Sequence, residues 1–172
     1  KLQRRLQATR YRGTGAALRL NGSTNYGTAT LACPPGNMVI MYAIRPNASI
    51  GSQRNYVGWR NGSLAGNRLA DIGRSGVDRP GFAARNDAGV QFLCDSPVAL
   101  SDLTKMNYIF CVLDVSNAQM RLYINSTLTP VATTAITGTW NTVLSNFSVG
   151  KLPDASSNFG LGDIDEIRIY SI

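Results

Sequence analysis

The chain has 172 residues, 44% of them hydrophobic and 16% charged, which suits one domain around a single core. It has no histidine, and its three cysteines (Cys33, Cys94, Cys111) are widely spaced. Neither a zinc set nor a histidine-based triad can be assembled, and no metal or other cofactor is expected. The longest apolar stretches, such as Ile109 to Leu113, fall far short of the ~20 residues that cross a bilayer, so we expect a soluble protein with no membrane partner.

The net charge of +7 is uneven. Residues 1–15 hold Lys1, Arg4, Arg5, Arg10 and Arg12 and no acid, which leaves 12 basic against 10 acidic residues in the rest of the chain. Leu2 and Leu6 lie four apart among good helix formers, but the segment is too short to be a stable helix alone. We therefore divide the chain into a basic N-terminal arm, residues 1–15, and a nearly neutral domain, residues 16–172. No signal-like apolar run opens the sequence, and a first residue other than Met leaves earlier processing open.

Strand signals dominate from residue 16 onward. Ala17 to Leu20 is a short strand candidate, and Met38 to Ile44 is a continuous apolar strand closed by Arg45-Pro46-Asn47. Asn55 to Trp59 follows. Glycines recur between Ser49 and Gly89 among six arginines and three aspartates, which predicts short strands with exposed loops. Val90 to Cys94 is the next candidate. Tyr108 to Leu113 is apolar on both faces, as expected of a central strand with something packed on each side. Residues 114–118 read as a tight turn into Gln119 to Asn125, where Met120, Leu122 and Ile124 alternate with mostly polar neighbours. Asn146 to Val149 and Ile164 to Tyr170 complete the set. Many short strands with Gly and Asn turns imply an antiparallel all-β sandwich. Cys111 reads as a small buried hydrophobe, while the spacing leaves a Cys33–Cys94 disulfide undecided.

The order of these segments resembles the concanavalin A-like lectin/glucanase superfamily and its laminin G-like jelly-roll domains. The similarity is carried by Ala17 to Tyr26 as opening strand and turn, by Met38 to Ile44 with Pro46, by Tyr108 to Leu113 followed by Met120 to Asn125, and most closely by Gly162 to Tyr170. The resemblance implies a jelly-roll β-sandwich. It implies no single function, because this fold hosts many activities. Where the family's opening turn offers aspartates that help hold calcium, this chain has Asn21 and Asn25, neutral amides that make a weaker site for a hard cation.

Some glucanases of the superfamily carry acids along one strand, and Asp163-Ile164-Asp165-Glu166 is the comparable segment. Only Asp163 and Asp165 have the spacing to share a strand face, and position 167 is Ile, so the acid ladder is missing. We expect no catalytic residues and no enzyme: these acids should sit at a sheet edge and pair with Arg168 or another arginine. Sugar recognition needs exposed aromatic faces beside amides and hydroxyls. The candidate glycan contacts are Tyr26 beside Asn25, Trp59 beside Arg60 and Asn61, and Trp140 between Thr139 and Asn141, with core packing as the plain alternative for each. The five Asn-X-Ser/Thr triplets (Asn21, Asn47, Asn61, Asn125, Asn146) read as compositional in a chain rich in these residues.

Together these features predict a non-enzymatic structural or recognition module. The leading reading is a virion decoration, cement or fibre component that joins capsid or fibre subunits, or its own copies, through the anchor residues Lys1, Arg4, Arg5, Arg10 and Arg12. The alternative is a glycan-binding, lectin-type module of an extracellular or adhesive protein. Nucleic acid, attracted by the arm's five charges, ranks below both.

Overall fold

The computed structural model describes residues 17–61, 66–126, 128–153 and 157–172. The expected anchor residues Lys1, Arg4, Arg5, Arg10 and Arg12 lie outside the described residues. Twelve strands form among those described: β1 (Leu18–Asn21), β2 (Gly27–Thr30), β3 (Met38–Arg45), β4 (Arg54–Arg60), β5 (Asn67–Ile72), β6 (Pro80–Arg85), β7 (Gln91–Asp95), β8 (Asn107–Asp114), β9 (Gln119–Ile124), β10 (Ala132–Ala135), β11 (Asn146–Val149) and β12 (Leu161–Ser171). They pair antiparallel into two six-stranded sheets, β1-β12-β3-β8-β9-β10 and β2-β11-β4-β5-β6-β7. This is the expected jelly-roll sandwich.

The alternation read from sequence decides which side of each strand meets the core. In β3, Met38, Ile40, Tyr42 and Ile44 face inward, and so do Ile109, Cys111 and Leu113 in β8 and Met120 and Leu122 in β9. They meet Val57 and Trp59 of β4, Ala70 and Ile72 of β5 and Phe82 of β6 across the sandwich. Each such aliphatic or aromatic side chain contributes about 1.5–3 kcal/mol through burial. Tyr42 and Tyr56 stack across the two sheets with ring centroids 6.1 Å apart. Along one side the sandwich is closed by the Thr134 hydroxyl of β10, which donates to the Leu93 carbonyl of β7 at 2.8 Å.

Three expectations change. The stretch from Ser49 to Gly89 holds short strands as expected, β4, β5 and β6, but it is far less exposed than expected, and all six residues of β5 are buried. Their outer face is covered as well: Leu152, from the segment after β11, packs on Leu69 and Ala83. Gly58 serves the same close packing, since a Cβ there would collide with the Arg68 carbonyl oxygen. Second, β12 is not an edge strand. It lies between β1 and β3, with a bulge at Asp165-Glu166 between the paired residues Ile164 and Ile167. Third, β8 is central as expected, beside β3, but no described strand lies over the outer side of either. The Cys33–Cys94 pairing left open by the sequence is not formed, and Cys111 is buried as expected: all three cysteines are buried free thiols. Burial pushes the Cys33 thiol up to about 11 and raises the other two, so all three act as small hydrophobes.

Candidate functional site

The three aromatic candidates have separate fates. Trp59, on β4, is 0% exposed; its indole N–H donates to the Leu31 carbonyl at 2.7 Å and its ring lies 4.8 Å from that of Phe147. Trp140 is 2% exposed, between Phe92 and the buried guanidinium of Arg68, whose central carbon is 4.8 Å from the indole centroid. The expectation that these two present a face to a glycan is corrected: period-2 alternation turns Trp59 inward, and Trp140 closes the end of the core. Tyr26 is different. It is 45% exposed, rests on Phe159 at 5.7 Å between centroids and carries the Lys151 ammonium 4.1 Å above its ring.

Tyr26 stands next to β2, the edge strand of the second sheet. On the side of that sheet turned away from the core, the strand registers bring polar side chains into one line. Thr30 pairs with Asn146, Arg60 with Asn67, Asn67 with Arg85, and Arg85 with Gln91. The Phe147–Trp59 pair sets Asn146 beside Arg60 and completes the row. It crosses all six strands, about 24 Å at the usual strand spacing. Thr30, Asn146 and Gln91 are exposed, Arg60 and Arg85 half-buried and Asn67 buried. Arg85 is held in place, donating to the Gln91 side-chain oxygen at 2.9 Å and to the Gly89 carbonyl at 3.0 Å. The Asn67 side-chain oxygen has no hydrogen-bond partner.

Beside this row the next positions are small or apolar (Thr28, Ser148, Gly58, Leu69, Ala83), and the segment around Leu152 covers part of them. An open depression of about 460 Å³ lies there, lined by Thr28, Ala29 and Thr30 of β2, Asn146 and Phe147 of β11, and Lys151 and Pro153. The Asn146 amide, the Thr28 and Thr30 hydroxyls and the Lys151 ammonium thus line an accessible groove, and Lys151 links it to the Tyr26 ring. That chemistry suits a ligand rich in hydroxyl groups. Sequence reasoning reached Tyr26 and noted Arg60 and Asn146 only as neighbours of other features; Thr30, Asn67, Arg85 and Gln91 were missed. The signal is their register opposite one another, which exists only once the strands are paired.

The acidic candidates are committed elsewhere. The Asp163 carboxylate is nearly buried and receives Arg19 at 2.9 Å, Arg45 at 2.7 Å and the Asn47 amide at 2.9 Å. Arg19 foremost, then Arg45 and Asn47, hold it well below the usual carboxylate range. Glu166 pairs with Arg168, and Asp165 is exposed in the bulge. Pairing with arginines is as expected; the edge position is not. A further acidic pair escaped the sequence reading. Arg74 binds both Asp71, at 3.2 Å, and Asp95, over Gly81, where a Cβ would press on all three side chains. Burial raises the Asp71 carboxyl to about 7 despite the opposing pull of Arg74. With Arg74 lying between them, the two carboxylates form an internal ion cluster. In the opening turn, the Asn21 side-chain oxygen accepts the backbone N–H of Ser23, Thr24 and Asn25 at 2.8–3.1 Å, so it organises its own loop.

No protein-family model matches the chain, and no curated protein sequence does. Solved structures do. The heptameric SAP-like pentraxin of Limulus polyphemus superposes with a TM-score of 0.65 at 10% identity, covering 90% of this chain and 76% of the pentraxin. The fold is the concanavalin A-like, laminin G-like jelly roll. The CBM40 domain of the Ruminococcus gnavus IT-sialidase, bound to α2,3-sialyllactose, gives 0.63 at 19% identity over 90% of this jelly roll and 89% of its own chain. Mouse laminin α1 domains LG4-5 give 0.65 at 16% identity, covering 92% of this chain and 42% of that one. Among the described residues no helix is long and apolar enough to cross a membrane, and no group of three or more acidic or cysteine side chains is placed to hold a metal ion.

Proposed function

We propose that this jelly roll is a non-enzymatic carbohydrate-recognition module whose binding face is the polar row Thr30, Asn146, Arg60, Asn67, Arg85 and Gln91, with Tyr26 a further contact beside the same edge strand. The observation that carries the proposal is the alignment of that row in one register across six strands, beside an accessible groove. Amides and guanidinium groups offer the directional hydrogen bonds a sugar needs, and the half-exposed Tyr26 with Lys151 over its ring adds a phenol and a cation beside the same edge strand. The likeness to a sialyllactose-bound carbohydrate-binding module supports this reading over the virion reading, and the extracellular alternative for location fits it. The assembly role of Lys1, Arg4, Arg5, Arg10 and Arg12 stands as a separate proposal, resting on the charge of the arm.

The test is a glycan array followed by calorimetric titration of the full chain. Selective binding should weaken at least about tenfold when Tyr26, Asn146 or Gln91 becomes alanine, the loss of ~1.4 kcal/mol expected for one good contact. All three side chains are exposed, so folding is retained. A blank array, or binding indifferent to all three substitutions, overturns the proposal.

A further inference from the structure

The outer side of the first sheet carries a pattern that neither the core nor the polar row uses. Register places Tyr170, Val39, Val112 and Arg121 in one line across β12, β3, β8 and β9, and Arg168, Met41, Phe110 and Tyr123 in the next. Tyr108 extends the patch at 44% exposure. These are the alternate positions to the inward-facing ones, so the face is apolar and aromatic where a solvent-facing sheet side would be polar. The absence of any described strand above it corrects the expectation of packing on both sides of Tyr108 to Leu113.

We propose that this face is the contact surface between two copies of the chain, packed sheet against sheet about a two-fold axis. Three features select a second copy. First, the flanking charges are already satisfied within one chain, Arg121 by Asp114 and Arg168 by Glu166, so the patch is locally neutral and two molecules of net charge +7 can approach through it. Second, among the described residues the acids beside it are largely taken, Asp114 by Arg121 and Glu166 by Arg168, which leaves Asp165 in the β12 bulge as a lone carboxylate for the five basic groups of residues 1–15 and argues against the arm as its cover. Third, the size fits. Four strands at ~4.8 Å and about five residues at ~3.4 Å span roughly 19 by 17 Å, and side-chain relief brings the total buried by two faces to about 1,000 Å², the lower edge of specific interfaces. The centre is aliphatic and aromatic, tyrosine is frequent, and charge sits at the rim, as in protein–protein contacts. An interface of this size predicts reversible association with a dissociation constant in the micromolar range.

The experiment is sedimentation velocity of the full chain from about 1 to about 200 μM, alongside Val39→Lys, Tyr123→Lys and a form lacking residues 1–16. Expected is a concentration-dependent shift from the 18.5 kDa monomer to a dimer, abolished by either lysine while the thermal melt stays cooperative. Hydroxyl-radical footprinting of the unaltered chain supplies a reading that needs no variant: modification of Phe110 and Tyr123 should fall at least about threefold at the high concentration. A monomer at every concentration overturns the proposal. So does a dimer unaffected by both lysines, or one that forms only after residues 1–16 are removed, which would make the arm the cover of this face.

Discussion

Replacing Trp59 separates a core role from a ligand-binding one. Trp59→Phe keeps an aromatic ring but removes two ring carbons and the N–H that donates to Leu31. The carbons contribute about 0.8 kcal/mol each and the hydrogen bond about 1 kcal/mol, for a loss of about 2–3 kcal/mol. In a chain of this length that lowers Tm by roughly 5–10 °C. Trp59→Ala would also leave Phe147 without its 4.8 Å partner and open a cavity, bringing the loss to about 3–5 kcal/mol. Urea denaturation followed by circular dichroism measures both, and titration with the best array glycan, below the variants' melting temperature, measures binding. Affinity should stay within about twofold for Trp59→Phe, because the ring lies beneath the sheet and the ligand above it. A variant with unchanged stability and lost glycan affinity would refute this assignment, and with it the inward orientation of alternate β4 residues on which the polar row depends.

Asp71 should make stability fall as pH rises from the acid range towards neutrality. Its folded-state carboxyl, raised to about 7, holds a proton more tightly than the unfolded chain does, so its contribution is complete at low pH and is lost as pH rises through about 7. Between pH 5 and 8 the native protein should lose about 2–3 kcal/mol more than Asp71→Asn in parallel urea titrations, and equal slopes would contradict the buried-acid account. Asp163 acts in the opposite direction: its depressed carboxyl stabilises the fold above the usual carboxylate range and ceases to as pH falls, so Asp163→Asn should flatten the acid limb of a thermal-melt series. The amide variants of Asp163, Asp165 and Glu166 should leave glycan affinity unchanged, and glycan cleavage that vanishes in any of them would overturn the non-enzymatic reading. Removing residues 1–12 should leave the melt of the sandwich within about 2–4 °C of the full chain while abolishing incorporation into any larger assembly, read by co-sedimentation. A truncated chain that still assembles, or that unfolds, removes the anchor proposal.

How far the sequence reads depends on whether a signal is local. The apolar alternation of Met120, Leu122 and Ile124, the continuous run of Met38 to Ile44 and the turn-bounded segment Asn146–Val149 each reflect one strand's relation to the core, and the structure has strands at all three. β5 escaped for the complementary reason. Its sequence, Asn-Arg-Leu-Ala-Asp-Ile, looks half polar, and burial of Arg68 and Asp71 depends on partners outside the strand, Trp140 and the Arg85 carbonyl for one, Gln53 and the nearby Arg74 for the other. Similarly, nothing near Asp163 in the sequence reveals that β1 lies beside it and that Arg19, 144 residues away, neutralises it.

The sequence by itself determined the fold class, the jelly-roll resemblance, the concentration of charge in residues 1–15 and the absence of histidine chemistry. Composition and period-2 alternation are enough for these, because each strand must bury one face whatever its neighbours. Only the tertiary structure decided that Trp59 and Trp140 are core residues while Tyr26 is exposed, that Cys33 and Cys94 stay apart, and that Thr30, Asn146, Arg60, Asn67, Arg85 and Gln91 form one line. Those facts depend on which strands pair and in what register, and a one-residue slip would turn every one of these side chains to the opposite face. Strand register is set by contacts between segments distant in sequence, so the binding face comes into existence only when the two sheets are assembled.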